Sequence, residues 1–451
     1  MGRIRKTQPL SSLIKYVKQE EWLNLIDKYQ AIDLKGRYLH WDQFQWRVDK
    51  GDDVDAAWLA TKISRRAIAK KLLLLQAKNE LCFSYCIPNS LLAQLQNIDA
   101  ITGGGYSLSN SIFIVSSQAE KDRYLVKNLM MEEAITSSQL EGASTTRKVA
   151  KKILENNLPP KNKSEQMIVN NFQLMKEVLA RQEEELSIDM ILDLHSIATD
   201  QAIENQAIPG QLRQDDNIYI ADQFNENFYQ PPSWETLEER LNNLCSFANE
   251  CHGSQNYNNF IHPIIKAIIL HFMIGYIHPF GDGNGRTARA IFYWFMLRAG
   301  YWLFEYVSIS KLIKEKRSAY DTAFIYTETD DFDLTYFIYN QVEIIVKAIN
   351  ALQTHIEDKK QELSNFVAWI DKSPLAKKLK RGHLEILKEA IKEPGKEFTS
   401  KQVAMSLGIS ENTARSYLKK LADLDLLILA TTKKGRMVRY VAPASLKEKM
   451  I

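Results

Sequence analysis

Between positions 261 and 277 the apolar residues Ile261, Ile264, Ile265, Ile268, Phe272 and Tyr276 recur at near-helical spacing, which predicts a helix. Pro263 fits its first turn, and Pro279 argues that it ends at or before His278. A second helix is predicted from about Arg286 to Leu297 or Arg298, with Gly300 past its end. Upstream, 131–142 reads MEEAITSSQLEG, where Glu132, Glu133, Ala134 and Leu140 favour a helix and Gly142 a stop. The stretch to about Gly105 reads as helical, amphipathic over 56–77, with Gly103-Gly104-Gly105 as a break. Pro209-Gly210-Gln211-Leu212-Arg213 leads to Asn217-Ile218-Tyr219-Ile220 and then Pro231-Pro232, a pattern that predicts a hairpin. Near the end, Thr399-Ser400 opens a short helix to Leu407, and Ser410 caps a second one to about Leu421. Strand-like 426–429 and 437–441 flank 431–436, so this part reads as a helix-turn-helix with a basic wing. No internal repeat is evident.

Composition narrows the class. A chain of 451 residues has room for two to four domains and a full-sized core. Its 45% apolar and 25% charged residues are ordinary for a water-soluble protein. The most apolar stretches, 261–280 and 291–309, contain Lys266, Arg298 and Glu305 and are shaped by Pro279 and Gly300, so they read as buried helices and not membrane spans. Met1-Gly2-Arg3-Ile4-Arg5-Lys6 is followed by no apolar leader, and Lys6 does not fit a myristoylation site. Cys82, Cys86, Cys245 and Cys251 make no CxxC pair, so reduced thiols in a cytoplasmic protein are expected. His252 and His262 lie near two of them, but at spacing too irregular for a metal site. Trp41, Phe44 and Trp46 read as an aromatic core patch. Residues 372–451 carry 18 Lys/Arg against 8 Asp/Glu, a charge of +10, which leaves −7 for the rest of a chain whose total is +3.

The chemistry concentrates in His278-Pro279-Phe280-Gly281-Asp282-Gly283-Asn284-Gly285-Arg286-Thr287, continuing to Arg289. The glycines allow tight backbone and close ligand approach, and the loop delivers its amides to a helix N-terminus, a natural anion site. Arg286 and Arg289 share a helix face and can hold a polyphosphate together. Asp282 is a hard oxygen ligand suited to Mg²⁺ beside phosphates, and His278 can take a proton near neutrality.

This run resembles the signature of the Fic family, His-x-Phe-x-Asp/Glu-Gly-Asn-Gly-Arg followed by a second Arg. The resemblance implies a mainly α fold, a Fic-type helical core with a small β-hairpin flap. The helix-turn-helix with its basic wing near the end resembles winged-helix domains and adds a C-terminal winged helix-turn-helix domain. The expected division is a helical N-terminal extension over 1–105, a Fic core over 106–365 with an inhibitory helix at about 127–142 and the Fic domain at about 190–335, and a winged helix over 372–451. By the same resemblance His278 is the base that deprotonates a target hydroxyl, and Phe280 anchors the loop. Asp282 holds Mg²⁺, and Gly283, Asn284 and Gly285 form the anion hole. Arg286 and Arg289 hold the β- and γ-phosphates. The implied activity is AMP transfer from ATP to Ser, Thr or Tyr of a protein. UMP or phosphocholine transfer stays open, whereas Gly285 disfavours the kinase branch, which carries Lys there.

Ser137-x-x-x-Glu141-Gly142 resembles the family's inhibitory motif, in which Glu141 pairs with Arg289 and bars productive ATP binding. Alone, Glu141 would read as a solvated helix carboxylate. In some relatives the equivalent Glu also orients water for removal of AMP. The hairpin with Ile218, Tyr219 and Ile220 resembles the flap that holds a target segment by strand pairing, the alternative being an ordinary surface hairpin. Tyr320 falls where relatives place an aromatic near adenine, or it is a packing tyrosine. Asn412, Arg415, Lys419, Lys420, Lys433, Lys434, Arg436 and Arg439 suit DNA phosphates, while a protein-contact winged helix is equally compatible. The implied partners are ATP, a target protein (the chain itself among the candidates), DNA and a second copy as a homodimer, with no membrane. A rival reading is a DNA-binding regulator whose Fic core senses nucleotide.

Overall fold

The computed structural model describes residues 4, 7–102, 130–203, 207–221, 228–253, 259–372, 379–392, 395–430, 438–443 and 446. The predicted glycine break at 103–105 and the tip of the wing, with Lys433, Lys434 and Arg436, lie outside the described residues.

Two helices form the centre. Pro263–Ile277 starts with its proline in the first turn, and Asn284–Arg298 follows the loop between them. Both are buried on nearly every face, as expected where partners pack all round a helix. They pack on each other, and Lys163–Ala180 and Ile188–Thr199 cover the second. The covering helices begin at side-chain caps: the Asn162 side chain accepts from the Glu165 amide, and the Ser187 side chain from the Met190 amide. The second central helix starts two residues earlier than its periodicity indicates, because Gly283 supplies a left-handed N-cap.

The N-terminal part differs from expectation in one element. The helix starting near position 56 runs over Val54–Ile68, and Lys70–Gln76 is then a strand, β1, paired antiparallel with β2, Cys82–Tyr85. The run Leu72-Leu73-Leu74-Leu75 carries no periodicity, so tertiary contact decides its state. Phe83 of β2 meets Phe272 and Tyr276 of the central helix edge-to-face. In the aromatic patch Phe44 is buried beside Trp58, but Trp46 is 70% exposed and does not join the core.

Buried charge ties this part to the centre. Lys62 Nζ lies 2.6 Å from Asp330 Oδ1, both buried. Arg65 donates to Tyr336 Oη at 2.7 Å and to the carbonyls of Ala31 and Leu39, and stands 3.6 Å from the centroid of Tyr38. The N-terminal extension falls with the core in one compact unit, Met1–Asn350, and Ala351–Ile451 forms a second. The division lies inside the long helix Thr335–Lys372.

The second unit contains Arg381–Lys392, then β5, Glu397–Phe398, the helices Ser400–Leu407 and Glu411–Asp423, and the strands β6, Ile428–Ala430, and β7, Arg439–Val441. The three strands form a sheet in the order β5-β7-β6. Thr399 and Gln402 make a capping box, and Ser410 caps the second helix through Thr413. Among the described residues no helix is long and apolar enough to cross a membrane.

Candidate active site

The loop between the central helices starts at a strained residue. His278 caps Pro263–Ile277 with φ +49°, left-handed for a non-glycine, and its amide donates to the Ile274 carbonyl at 3.0 Å. Phe280 is fully buried and stacks on His195 at 3.6 Å with the rings 1° from parallel. The Asn284 side chain closes the loop on itself: Nδ2 donates to the Phe280 carbonyl at 2.7 Å, and Oδ1 accepts from the Phe280 amide at 3.0 Å. Its side chain thus shapes the loop from within.

Gly283 must be glycine. Its φ is +80°, and a Cβ there would stand 2.5 Å from Thr199 Cγ2. Asp282 Oδ1 accepts from the Gly283 amide at 2.5 Å and lies 3.5 Å from Arg286 Nη2. Its carboxylate is 29% exposed, so it fits a magnesium ion shared with phosphate oxygens. Arg286 is buried; Nη1 donates to the Ala198 carbonyl at 2.6 Å, and Nε has no partner among the described residues. Burial lowers its pKa despite the nearby carboxylates of Glu141 and Asp282.

Glu141 and Arg289, 148 positions apart, meet. Arg289 Nη2 donates to Glu141 Oε1 at 2.8 Å, and Nε donates to Ser137 Oγ at 3.0 Å. Burial pushes the Glu141 carboxyl up, but the charge and hydrogen bond of Arg289, with Arg286 and Arg317 beyond, hold it below its ordinary value. Oε1 also reaches the front of the second central helix, where a Cβ on Gly285 would stand only 2.3 Å from it. The carboxylate therefore fills space at the helix N-terminus where an anion would settle.

The helix that carries Ser137, residues 130–140, is fastened at several points. The buried Glu133 carboxylate accepts from Ser308 Oγ at 2.7 Å, from the Ser310 amide at 3.2 Å and from Ser310 Oγ at 2.5 Å. Ser138 Oγ donates to the Met167 carbonyl at 3.0 Å, and Arg317 Nη1 donates to the Leu140 carbonyl at 3.1 Å.

His278 is held neutral. Burial lowers its pKa to about 4; the Gly275 carbonyl, Glu141 and Asp282 oppose this, and Arg213 adds to it. Nδ1 lies 3.3 Å from the Gly275 carbonyl, so in the neutral ring it donates there and Nε2 keeps its lone pair. That is the form a general base needs.

Tyr320 lies inside the fold. Its hydroxyl is 3.1 Å from His271 Nε2, and its ring packs against Phe324 and Phe337. The hairpin is formed by β3, Ile220–Ala221, and β4, Phe228–Tyr229. Tyr219 is 64% exposed, while Ile218 and Ile220 are half-buried. His252 faces Lys266 and His262 faces Asp99, and no metal-ligand cluster exists among the described residues.

Two supporting residues escaped the sequence reading. His195 accepts from the Gly210 amide at Nδ1, 3.0 Å, so its Nε2 donates to the Asp282 carbonyl at 2.9 Å. Arg213 holds the other side of the loop through the His278 carbonyl, 3.0 Å from its Nε. A lone His in the apolar run Met190 to Ala198 was the available signal for the first.

Residues 185–296 match the Fic/DOC family. The chain is 26% identical over 200 residues to a protein adenylyltransferase Fic of Nematostella vectensis, an alignment covering 43% of each. It is 32% identical over 124 residues to protein adenylyltransferase fic-1 of Caenorhabditis elegans, covering 28% of this chain and 22% of that one. The chain thus spans less than half the length of these curated relatives. A Fic family protein from Desulfovibrio desulfuricans superposes with a TM-score of 0.50 at 17% identity over 80% of this chain and 98% of that one, which supports the fold.

Proposed function

We propose that this chain, which carries a Fic/DOC domain, transfers AMP from ATP to a Ser, Thr or Tyr hydroxyl of a protein and is held off by Glu141. The observation that carries the reading is the Glu141–Arg289 pair at 2.8 Å, seated before Gly285 at the end of a signature loop whose histidine is neutral. In the released state His278 Nε2 takes the proton of the target hydroxyl. The hydroxyl oxygen bonds to the α-phosphorus, the bond from that phosphorus to its β-bridging oxygen breaks, and pyrophosphate leaves. Arg286, Arg289 and the loop amides meet the phosphate charge, and Asp282 would hold Mg²⁺, which neutralises phosphate oxygens. The flap strands offer main-chain pairing to an extended acceptor.

In the present state Arg289 is committed to a carboxylate. Removing one partner of a buried pair leaves the other uncompensated, so a γ-phosphate is the natural replacement once Glu141 is gone. Wild type and Glu141→Gly, incubated with ATP and Mg²⁺ and weighed intact, test this. The variant is expected to gain the mass of one or more AMP groups, and Arg289→Ala added to it should erase most of the gain. No gain in the variant removes the inhibitory role.

Removal of AMP is a second reading of the same site, favoured by a Glu141 carboxylate held ionised beside it. For the second unit we read the helix-strand-helix-helix-strand-strand order and three-stranded sheet as a winged helix. Asn412, Arg415, Lys419 and Lys420 are exposed on its helix Glu411–Asp423, a face suited to DNA phosphates.

A further inference from the structure

Arg213 is buried where the flap meets the catalytic loop, and its bonds run to both. Nε donates to the His278 carbonyl at 3.0 Å. Nη1 donates to the Asp215 carbonyl at 2.7 Å and to Asp216 Oδ1 at 2.7 Å. Nη2 donates to the Pro232 carbonyl, and the Arg213 amide donates to the Pro279 carbonyl at 2.9 Å. Asp216 also accepts from the Trp234 amide at 2.8 Å and from Ser233 Oγ at 3.0 Å. One planar guanidinium therefore grips the stem entering the flap, the stem leaving it and the carbonyl of the base residue. The fork geometry allows this, whereas a lysine ammonium is a single point.

The base residue needs such a grip. A left-handed non-glycine persists only where its surroundings over-determine it, and Arg213 meets two consecutive carbonyls, His278 and Pro279, at that position. Three residues earlier, the Gly210 amide is tied through His195 to the Asp282 carbonyl, so the 210–213 segment is braced on the loop at both ends.

We propose that Arg213 is a positioning residue for group transfer: it locks both flap stems to the backbone of His278, so that an acceptor paired along the flap meets the imidazole at a fixed distance and angle. This rests on the reading of His278 as the transfer base. The charged groups facing that imidazole are Arg213 itself, Glu141 from the turn after 130–140 and Asp282 from the loop.

The test uses the full chain in the Glu141→Gly background, with ATP and Mg²⁺, the chain itself as acceptor and intact mass as readout. Arg213→Met and Arg213→Lys should each slow transfer on the order of 10- to 100-fold, the scale of a small misplacement, with ATP binding unchanged. Lysine keeps the charge, so its acid limb should stay with the parent's. In Arg213→Met the limb should move to higher pH, because loss of a positive neighbour favours the imidazolium. Transfer by Arg213→Met at the parent's rate overturns the proposal. So does a loss of transfer that tracks weakened ATP binding or folding, with the acid limb unmoved. If Glu141→Gly itself transfers nothing, the functional reading fails separately. The brace is then read by NMR titration of His278 and hydrogen exchange at Ile220 and Ala221. Faster exchange and a raised imidazole pKa in Arg213→Met support it; no change in either overturns it.

Discussion

At the scale of single residues, the Glu141–Arg289 contact in front of Gly285 depends on an absence. Glu141 can approach the second central helix only because Gly285 has no side chain; the next atom a Cβ would meet is Arg289 Nη1 at 3.1 Å. This gives a thermodynamic prediction independent of activity. Gly285→Ala should destabilise the wild type more than it destabilises Glu141→Gly, with a coupling of about 1 kcal/mol, the scale for residues in direct contact. Thermal or denaturant unfolding of the four-member cycle measures it, and strict additivity would mean the two residues do not meet. A second residue-scale prediction follows from the His278 pKa of about 4. The ring is neutral at all pH values well above that, so the acid limb of transfer should lie below the ordinary imidazole range. His278→Ala should reduce transfer at least about 10²-fold at neutral pH, the usual contribution of a positioned base. A limb centred at an ordinary histidine pKa, or undiminished transfer in the variant, would take the base role from His278.

Elements show how the Glu141 carboxylate is kept in place. The helix over 130–140 is latched by Glu133, whose buried carboxylate collects three donors from Ser308 and Ser310. The Glu133 carboxylate bonds run to Ser308 and Ser310, although its charge reaches Arg289, so removing it should loosen the helix without deleting a hydrogen bond of the signature loop. Glu133→Ala is expected to cost about 1–3 kcal/mol of stability, the penalty for buried donors left unmade. It should also release self-modification partially, to a level below that of Glu141→Gly. Comparing intact masses of the two variants over time checks this; a destabilised but fully silent Glu133→Ala would show that the latch serves folding alone. Legibility divides along the same line. The helix stopped by Gly142, the central helices and the cap at Ser410 are readable because their signals are local. Strand β1 was not, since four consecutive leucines fit either state until β2 and the Phe83 cluster choose. His195 and Arg213 were not, since their bonds to the loop cross 87 and 65 positions. The Glu141–Arg289 pairing crosses more, and only a family resemblance made it an expectation.

On the scale of the whole molecule, charge is unevenly spread: residues 372–451 carry +10 and the remainder −7. Such segregation says nothing about fold but much about partners. In the second unit the buried side of Glu411–Asp423 presents Ala414, Leu418 and Leu421 to its own small core. The same helix leaves Asn412, Arg415, Lys419 and Lys420 exposed. Arg415 and Lys419 are one turn apart, matching a track of phosphates better than one carboxylate partner. If that face binds DNA, the full chain should bind duplex DNA at low salt, with the logarithm of the binding constant falling linearly in the logarithm of salt concentration. Arg415→Ala and Lys419→Ala should each weaken binding across unrelated sequences and flatten the salt slope by about one counterion. Neither should change AMP transfer by Glu141→Gly, because no residue of the signature loop lies in that unit. Absence of duplex binding at low salt, or variants whose salt slope equals the parent's, would leave the exposed basic face to a protein partner whose surface carries the opposite charge.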